Sequence, residues 1–189
     1  MKALPSYRTL VSNYPNKHDT PTSELLNEIG GEVRSNLTDA VNTCAIRVSY
    51  ALNHSGTPIT RMAGLYLLQG AAAKGPAGPA ARPRSDLYIL RVLDMKKYLT
   101  HEYGVGKKIY DAGTAGDKLV GVTAATQGII LFQWNGPFAE FGATGHVDLF
   151  QLSASNPASP SDLISECEGA CYWQQTAKPM EAFLWQSPS

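Results

Sequence analysis

The sequence has few charged residues, few cysteines and no long apolar runs, and each of these features excludes some classes of protein. Only 17% of its 189 residues are charged, and 16 basic side chains balance 16 acidic ones. Binding to nucleic acid or to anionic membranes normally needs a basic excess, so neither partner is expected. No apolar stretch approaches the roughly 20 residues of a membrane span, and the first residues lack the apolar core of a secretory signal. We expect no membrane insertion.

The composition that remains is typical of one loop-rich globular domain. Hydrophobic residues make up 43% of the chain, alongside 17 glycines and 12 prolines. A chain of this length buries most of its surface on folding, so we predict a single domain over residues 1–189. Residues 70–84 hold almost no large apolar side chain, and this Gly/Ala/Pro-rich stretch is predicted to be a loop.

Helical patterns come first along the chain and strand patterns come last. Within residues 20–35 a short helix is predicted, capped near Thr22 or Ser23 and stopped by Gly30-Gly31. Apolar periodicity and glycine stops predict further helices over 42–54 and 86–103. Strands are predicted from short β-branched and aromatic segments over 128–134, 146–150 and 182–185. This order predicts an α+β fold in which N-terminal helices pack on a C-terminal antiparallel sheet.

Cys44 stands alone, unlike the other two cysteines. It follows the polar pair Asn42-Thr43 at the predicted start of the 42–54 helix, where Asn42 is the expected N-cap. Unpaired backbone N–H groups and the helix dipole favour a thiolate at that place. The alternative is a small buried core residue. Its position makes Cys44 a candidate nucleophile.

A cysteine nucleophile needs a positioned base, and His146 is the best placed of the four histidines. It follows a glycine-containing turn and opens an apolar strand, which fixes the direction of its ring. His18 lies in a charged segment, and His101 lies on a polar helix face. His54 sits ten residues after Cys44, about 15 Å away along a helix. A cysteine at a helix start with a histidine on a sheet is typical of a papain-like site.

The residue that orients the imidazole has several candidates. Asp148 comes two residues after His146, so both side chains point to one face of the strand. Glu168 lies between the two remaining cysteines, and Asn156 and Asp162 lie in the intervening loop. An acid near a histidine is also commonly an ordinary structural group, and these patterns do not rank the candidates.

Cys167 and Cys171 lie close together near the end of the chain. Their spacing favours a disulfide, which persists only in an oxidising compartment. A closed zinc site would need four ligands, and the sequence offers no second pair. We therefore predict a disulfide between them and no metal site.

Four segments occur in one order and carry a family resemblance. They are Asn42-Thr43-Cys44-Ala45-Ile46-Arg47-Val48-Ser49, Gly145-His146-Val147-Asp148-Leu149-Phe150, the Cys-x-x-x-Cys-Tyr run at 167–172 and the closing Phe183-Leu184-Trp185. Together they closely resemble the fourth family of amidase effectors of the type VI secretion system. The likeness runs from about Tyr14 to Trp185.

The resemblance implies a papain-like fold related to NlpC-type cysteine peptidases, and an antibacterial function. Such effectors pass through the type VI secretion tube without a signal peptide and act in the periplasm of the target cell. They hydrolyse the amide between the γ-carboxyl of D-glutamate and meso-diaminopimelate in peptidoglycan peptide stems. A cognate periplasmic immunity protein blocks them, and they need no metal or organic cofactor.

The resemblance also assigns roles to residues. It makes Cys44 the nucleophile and His146 the general base. For acyl transfer by this pair we expect the Cys44 backbone N–H to hold the oxyanion, with Asn42 as a candidate second donor. The family's third residue is an aspartate between the paired cysteines, where this chain has Glu168. Glu168 and Asp148 therefore both stand as the residue that orients His146.

Two other functions fit parts of the sequence. A housekeeping or phage-type peptidoglycan hydrolase of the same fold would share the chemistry, but such enzymes usually carry a signal peptide or a wall-binding module. A binding or structural domain would leave Cys44 buried and inert. Alkylation of the thiol distinguishes the binding or structural domain from both enzymes. A catalytic cysteine of low pKa is alkylated at pH values far below 8, whereas a buried structural cysteine is not.

Overall fold

The computed structural model describes residues 2–16, 18–72, 85–111, 120–123, 126–133, 145–152 and 181–188. The helices in these ranges are α1 (Tyr7–Ser12), α2 (Thr22–Ile29), α3 (Gly31–Asn36), α4 (Cys44–His54) and α5 (Val92–Tyr103). The strands are β1 (Leu67–Ala72), β2 (Ser85–Ile89), β3 (Lys107–Asp111), β4 (Gln127–Gln133), β5 (Gly145–Gln151) and β6 (Glu181–Gln186). In this part of the chain no helix is long and apolar enough to cross a bilayer.

A four-stranded antiparallel sheet with the order β3-β6-β4-β5 forms the C-terminal half. The central strand β4 pairs with both neighbours, so that Ile130 lies opposite Asp148 on β5 and opposite Leu184 on β6. Its β-branched and aromatic residues suit a strand that is buried on both faces. The strands predicted over 128–134, 146–150 and 182–185 are confirmed as β4, β5 and β6.

The helices cover one face of this sheet. Ile129 and Leu131 belong to a core shared with α4 and α5, whereas Ile130 and Phe132 belong to a second core with β3 and β6. All four side chains are fully buried, and each such side chain contributes roughly 1.5–3 kcal/mol. The main helix α4 packs along β5. The predicted packing of N-terminal helices on a C-terminal antiparallel sheet is confirmed.

The predicted helix over 86–103 is wrong in its first part. Its first residues form β2, which pairs with β1 so that Tyr88 lies opposite Leu68 and Ile89 lies opposite Leu67. Pairing with a neighbouring strand overrides the helical pattern of this segment, in which only Tyr88 and Ile89 are of the aromatic or β-branched kind that strands favour. Arg91 keeps an extended backbone, and the helix begins only at Val92.

One further prediction needs correction. The predicted loop over 70–84 begins too early, because β1 continues to Ala72; residues 73–84 lie outside the described ranges. The short helix predicted to begin near Thr22 or Ser23 and to stop at Gly30-Gly31 is confirmed as α2, and α3 follows it directly. Gly30 and Gly31 both have positive φ angles, 61° and 57°, which other residues adopt only with strain. A Cβ on Gly31 would also lie 2.5 Å from the β1 backbone.

Candidate active site

Cys44 is the first residue of α4, as the sequence predicts. Its side chain is 4% exposed, and it is a free thiol. The N-cap residue of α4 is Thr43 and not the predicted Asn42. The carboxamide oxygen of Asn42 nevertheless accepts a hydrogen bond from the Cys44 backbone N–H at 3.1 Å. The helix begins here because Thr43 leaves helical geometry while a regular apolar stripe starts at Ala45. The thiol therefore lies at the positive end of the helix dipole.

His146 reaches Cys44 from the sheet. It is the second residue of β5, which is the outer strand of the described four-stranded sheet and the strand along which α4 packs. Its imidazole is buried and hydrogen-bonded to the Cys44 thiol. The start of β5 and the start of α4 thus bring together two residues that are far apart in the sequence.

Asp148 lies directly behind His146. Its Oδ2 is 3.1 Å from His146 Nε2, and its Oδ1 accepts a hydrogen bond from the Leu149 backbone N–H at 2.8 Å. The carboxylate is fully buried. Residues i and i+2 of a strand share one face, which is why this pair can form within β5. Cys44, His146 and Asp148 are therefore in contact as one chain of side chains.

Several of the predicted site residues lie outside the described ranges. Glu168, Cys167 and Cys171 lie outside the described ranges, as do the weaker candidates Asn156 and Asp162. The disulfide between Cys167 and Cys171 and the role of Glu168 therefore stay predictions.

The surroundings of His146 favour its protonated form. Burial alone lowers the pKa of the imidazole, but hydrogen bonds to Asp148 and to Cys44, together with their charges, outweigh burial and raise the pKa to about 9. At neutral pH the ring therefore holds its proton beside the thiol.

This raised pKa predicts how stability depends on pH. The folded protein keeps the His146 proton up to about pH 9, whereas an unfolded histidine releases it near 6.5. Between these values the folded state binds more protons, so the free energy of unfolding falls as pH rises, by on the order of 2–3 kcal/mol. Urea unfolding at intervals across this range measures the slope. The His146→Gln variant serves as control, and an equal slope in both proteins contradicts the prediction.

Tyr14 belongs to the site although the sequence patterns did not single it out. It follows α1, packs against the core that contains Cys44, and its hydroxyl is hydrogen-bonded to Asp148. Burial raises the pKa of Tyr14 well above its usual value, and the charge of Asp148 raises it further. Nothing in its flanking residues distinguishes it from the other members of the set of nine tyrosines, so only the folded chain identifies it.

Arg47 is a buried guanidinium one helical turn after Thr43. Its Nε donates to Thr43 Oγ1 at 2.9 Å, and its Nη1 donates to the carbonyl of Thr20 at 3.0 Å and to that of Pro15. These bonds tie the segment after α1 to the start of α4. An arginine in a helix is ordinarily assigned to the surface, and its position in the cysteine-containing octapeptide was the available signal.

The described residues include no group of three or more His, Cys, Asp or Glu side chains that could hold a metal ion. The other histidines are spread over the molecule. His54 stacks on Tyr50 at the far end of α4, with ring centroids 3.9 Å apart, and His101 lies beside Glu102 on α5. The side-chain chemistry gathered here is that of a thiol, an imidazole and a carboxylate.

Comparison with known families gives one match that covers most of the chain. A family model for the type VI secretion system amidase effector protein 4 matches residues 40–185. This range includes Cys44, His146 and Asp148, whereas Tyr14 precedes it. No curated relative matches the chain.

Solved structures of similar proteins agree over nearly the full length. The Tae4–Tai4 effector–immunity complex from Salmonella Typhimurium has 26% identity and a TM-score of 0.66, covering 97% of this chain and 99% of that chain. The Salmonella Tae4 in complex with Tai4 from Enterobacter cloacae has 25% identity and a TM-score of 0.65 over the same shares. The Tae4–Tai4 complex from Enterobacter cloacae, at 21% identity and a TM-score of 0.66 with 99% of each chain covered, agrees in fold.

Proposed function

Because the chain belongs to the amidase effector protein 4 family of the type VI secretion system, we propose that it cuts the γ-D-glutamyl–meso-diaminopimelate amide of peptidoglycan peptide stems, with Cys44 as nucleophile and His146 as general base. Membership makes it an antibacterial peptidoglycan amidase with a papain-like α+β fold. The observation that carries the proposed chemistry is the hydrogen bond between the buried Cys44 thiol and His146.

In the first step the nucleophile is formed and attacks. Since His146 Nε2 is directed at Asp148, Nδ1 is the ring nitrogen left for the thiol. His146 acts as the base in its neutral form, in which the ring takes the proton of Cys44. Asp148 holds the imidazole in orientation and supports the positive charge that forms on it. The thiolate then adds to the γ-glutamyl carbonyl carbon, and a tetrahedral oxyanion forms.

The oxyanion would be stabilised by the backbone N–H of Cys44. In the free protein this N–H is bound by the Asn42 carboxamide oxygen, so the substrate oxygen would replace that oxygen during attack. Asn42 presents its acceptor side here. It would therefore have to turn its amide group before it could serve as the second donor.

In the second step the amide breaks and the enzyme is restored. The His146 imidazolium donates its proton to the departing amine of diaminopimelate, which leaves a thioester on Cys44. A water molecule, deprotonated by the same imidazole, hydrolyses this thioester and releases the glutamyl carboxylate. No metal or organic cofactor enters this scheme.

We propose the same biological setting for this chain as for its relatives. The solved Salmonella and Enterobacter effectors are bound to an immunity protein, Tai4. A cognate immunity protein would accordingly bind this chain and block its site in the producing cell. The effector would leave with the secretion tube and act in the periplasm of the target cell.

The bond that is cut can be identified directly. We expect a disaccharide tetrapeptide containing meso-diaminopimelate to yield a disaccharide ending in D-glutamate and a dipeptide of diaminopimelate and D-alanine. Mass spectrometry gives the fragment masses, and amine labelling before and after digestion locates the new amino group on diaminopimelate. The matched control is the same enzyme alkylated with iodoacetamide. Cleavage at the amide between the lactyl group and the first stem residue, or between the two terminal stem residues, would contradict the proposed specificity.

A further inference from the structure

One partly buried tyrosine contacts the site without a part in the proposed chemistry. The hydroxyl of Tyr14 is hydrogen-bonded to Asp148. Asp148 also contacts the Leu149 backbone N–H at 2.8 Å and His146 Nε2 at 3.1 Å, and no part of it is exposed to solvent. The carboxylate therefore divides its hydrogen-bonding capacity between Tyr14 and His146.

The direction of the Tyr14 bond follows from chemistry. An ionised carboxylate can only accept, so the hydroxyl must donate. Burial raises the pKa of Tyr14 well above its usual value, and the nearby charge of Asp148 adds to this effect. The hydroxyl thus keeps its proton at every pH at which a cysteine amidase works.

Arg47 holds the backbone that carries Tyr14. Its guanidinium is 2% exposed and donates to the carbonyl of Pro15, the residue that follows Tyr14, and to the carbonyl of Thr20. The same group donates to Thr43, the residue before Cys44. The planar guanidinium joins these segments through two separate nitrogens, Nε and Nη1, whereas a lysine would offer all its donors from one nitrogen. Tyr14 is therefore fixed relative to the start of α4.

We propose that Tyr14 is a positioning residue of this site: its hydroxyl shares the Asp148 carboxylate with His146, and Arg47 holds it there. The inference rests on the proposed function. Among the described residues, the titratable groups that act on His146 are Cys44 from α4 and Asp148 from β5. Tyr14, from the segment after α1, and Arg47, from α4, lie one step further out: Tyr14 contacts Asp148, and the Arg47 charge acts on Tyr14.

The consequence concerns how tightly His146 holds its proton. The Tyr14 hydroxyl donates to Asp148 and so makes the electrostatic potential at the imidazole less negative. This lowers the pKa of His146 relative to a site without the hydroxyl. His146 must pass that proton to the leaving amine in each turnover. Tyr14 therefore favours turnover and has no direct part in substrate binding.

The Tyr14→Phe variant removes the hydroxyl and keeps the ring. We expect the midpoint of the His146 titration, followed by NMR with ring-labelled histidine, to rise by about 0.5 pH unit or more. The His146 signal is assigned by its loss in His146→Gln. On a muropeptide, kcat should fall by about tenfold while KM stays within about twofold. A midpoint that stays constant or falls overturns the proposal.

Tyr98 offers a matched control. It is a buried tyrosine of the core against which Tyr14 packs, but its hydroxyl contacts the Pro58 carbonyl and the Thr60 N–H. The Tyr98→Phe variant should leave the His146 midpoint unchanged. Equal shifts in both tyrosine variants would indicate general loosening of the core and would overturn the specific role of Tyr14.

Arg47→Lys tests the second half of the proposal, because it keeps the charge and loses the planar set of donors. We expect a rise of the His146 midpoint, and no larger rise when Arg47→Lys is combined with Tyr14→Phe, because both changes act through one hydroxyl. Additive shifts overturn the role of Arg47. If Arg47→Lys does not fold, Tyr14→Phe alone decides the role of Tyr14.

The titration does not depend on amide hydrolysis, so the two proposals can fail separately. A constant midpoint in Tyr14→Phe of an active enzyme overturns the role of Tyr14 and leaves the proposed function standing. A raised midpoint in a protein that cuts no muropeptide overturns the proposed function and supports the shared carboxylate.

Discussion

Replacing Cys44 by alanine is expected to lower the rate of peptidoglycan amide hydrolysis by at least about 10⁴-fold. The proposed reaction passes through a thioester on this sulfur, and alanine offers no atom that can form it. Cys44 is buried at the start of α4 and packs in the main core, so the change from sulfur to hydrogen also leaves a small void. The rate is measured as release of labelled muropeptide fragments under single-turnover conditions.

Cys44→Ser provides the control for that void. Serine nearly restores the side-chain volume. Its hydroxyl is nevertheless a far weaker nucleophile than the Cys44 thiol. Both variants should lose activity while their thermal unfolding stays within a few degrees of the wild type. Activity retained by the alanine variant would show that Cys44 is only a packed core residue and would refute the proposed mechanism.

Asp148→Asn is expected to reduce kcat by about 10³-fold or more, whereas Glu168→Gln is expected to change it only a few-fold. An asparagine keeps the shape of Asp148, but it has no charge to support the His146 imidazolium. It can also turn its amide toward the ring and select the wrong tautomer. The measurement is the pH profile of kcat for both variants on one muropeptide.

The two variants also decide which carboxylate orients His146, a question that the sequence leaves open between Asp148 and Glu168. The contact of Asp148 with His146 supports Asp148 as the orienting residue, and Glu168 belongs to the part of the chain that is not described. Intact secondary structure by circular dichroism is the control for folding. A large loss in Glu168→Gln with a small one in Asp148→Asn would reverse the assignment.

Local patterns were sufficient for α4 and for the strands of the large sheet. The start of α4 depends on residues adjacent in sequence, namely the cap and the first apolar residues, and these are visible before folding. The buried strands β4 and β5 likewise have a composition that a helix would not favour. Cys44 and His146 were found because each lies at the end of such an element.

The failures have a common physical origin in contacts between distant segments. Residues 85–89 become a strand because β1 lies beside them, and no pattern within the segment carries that information. Tyr14 meets Asp148, and Arg47 meets Pro15, only when the first segment of the chain folds over α4. Such partners depend on tertiary packing, which periodicity in one sequence does not encode.

Under the proposed mechanism, the packing of α4 along β5 makes enzymatic activity depend on complete folding. The proposed nucleophile and base come from opposite halves of the chain, so a long loop must close before catalysis. Contacts of such high sequence separation generally form slowly. A partly unfolded chain would then carry the Cys44 thiol away from His146 and would not hydrolyse peptidoglycan. The onset of hydrolysis after dilution from denaturant would mark the moment at which β5 docks on α4.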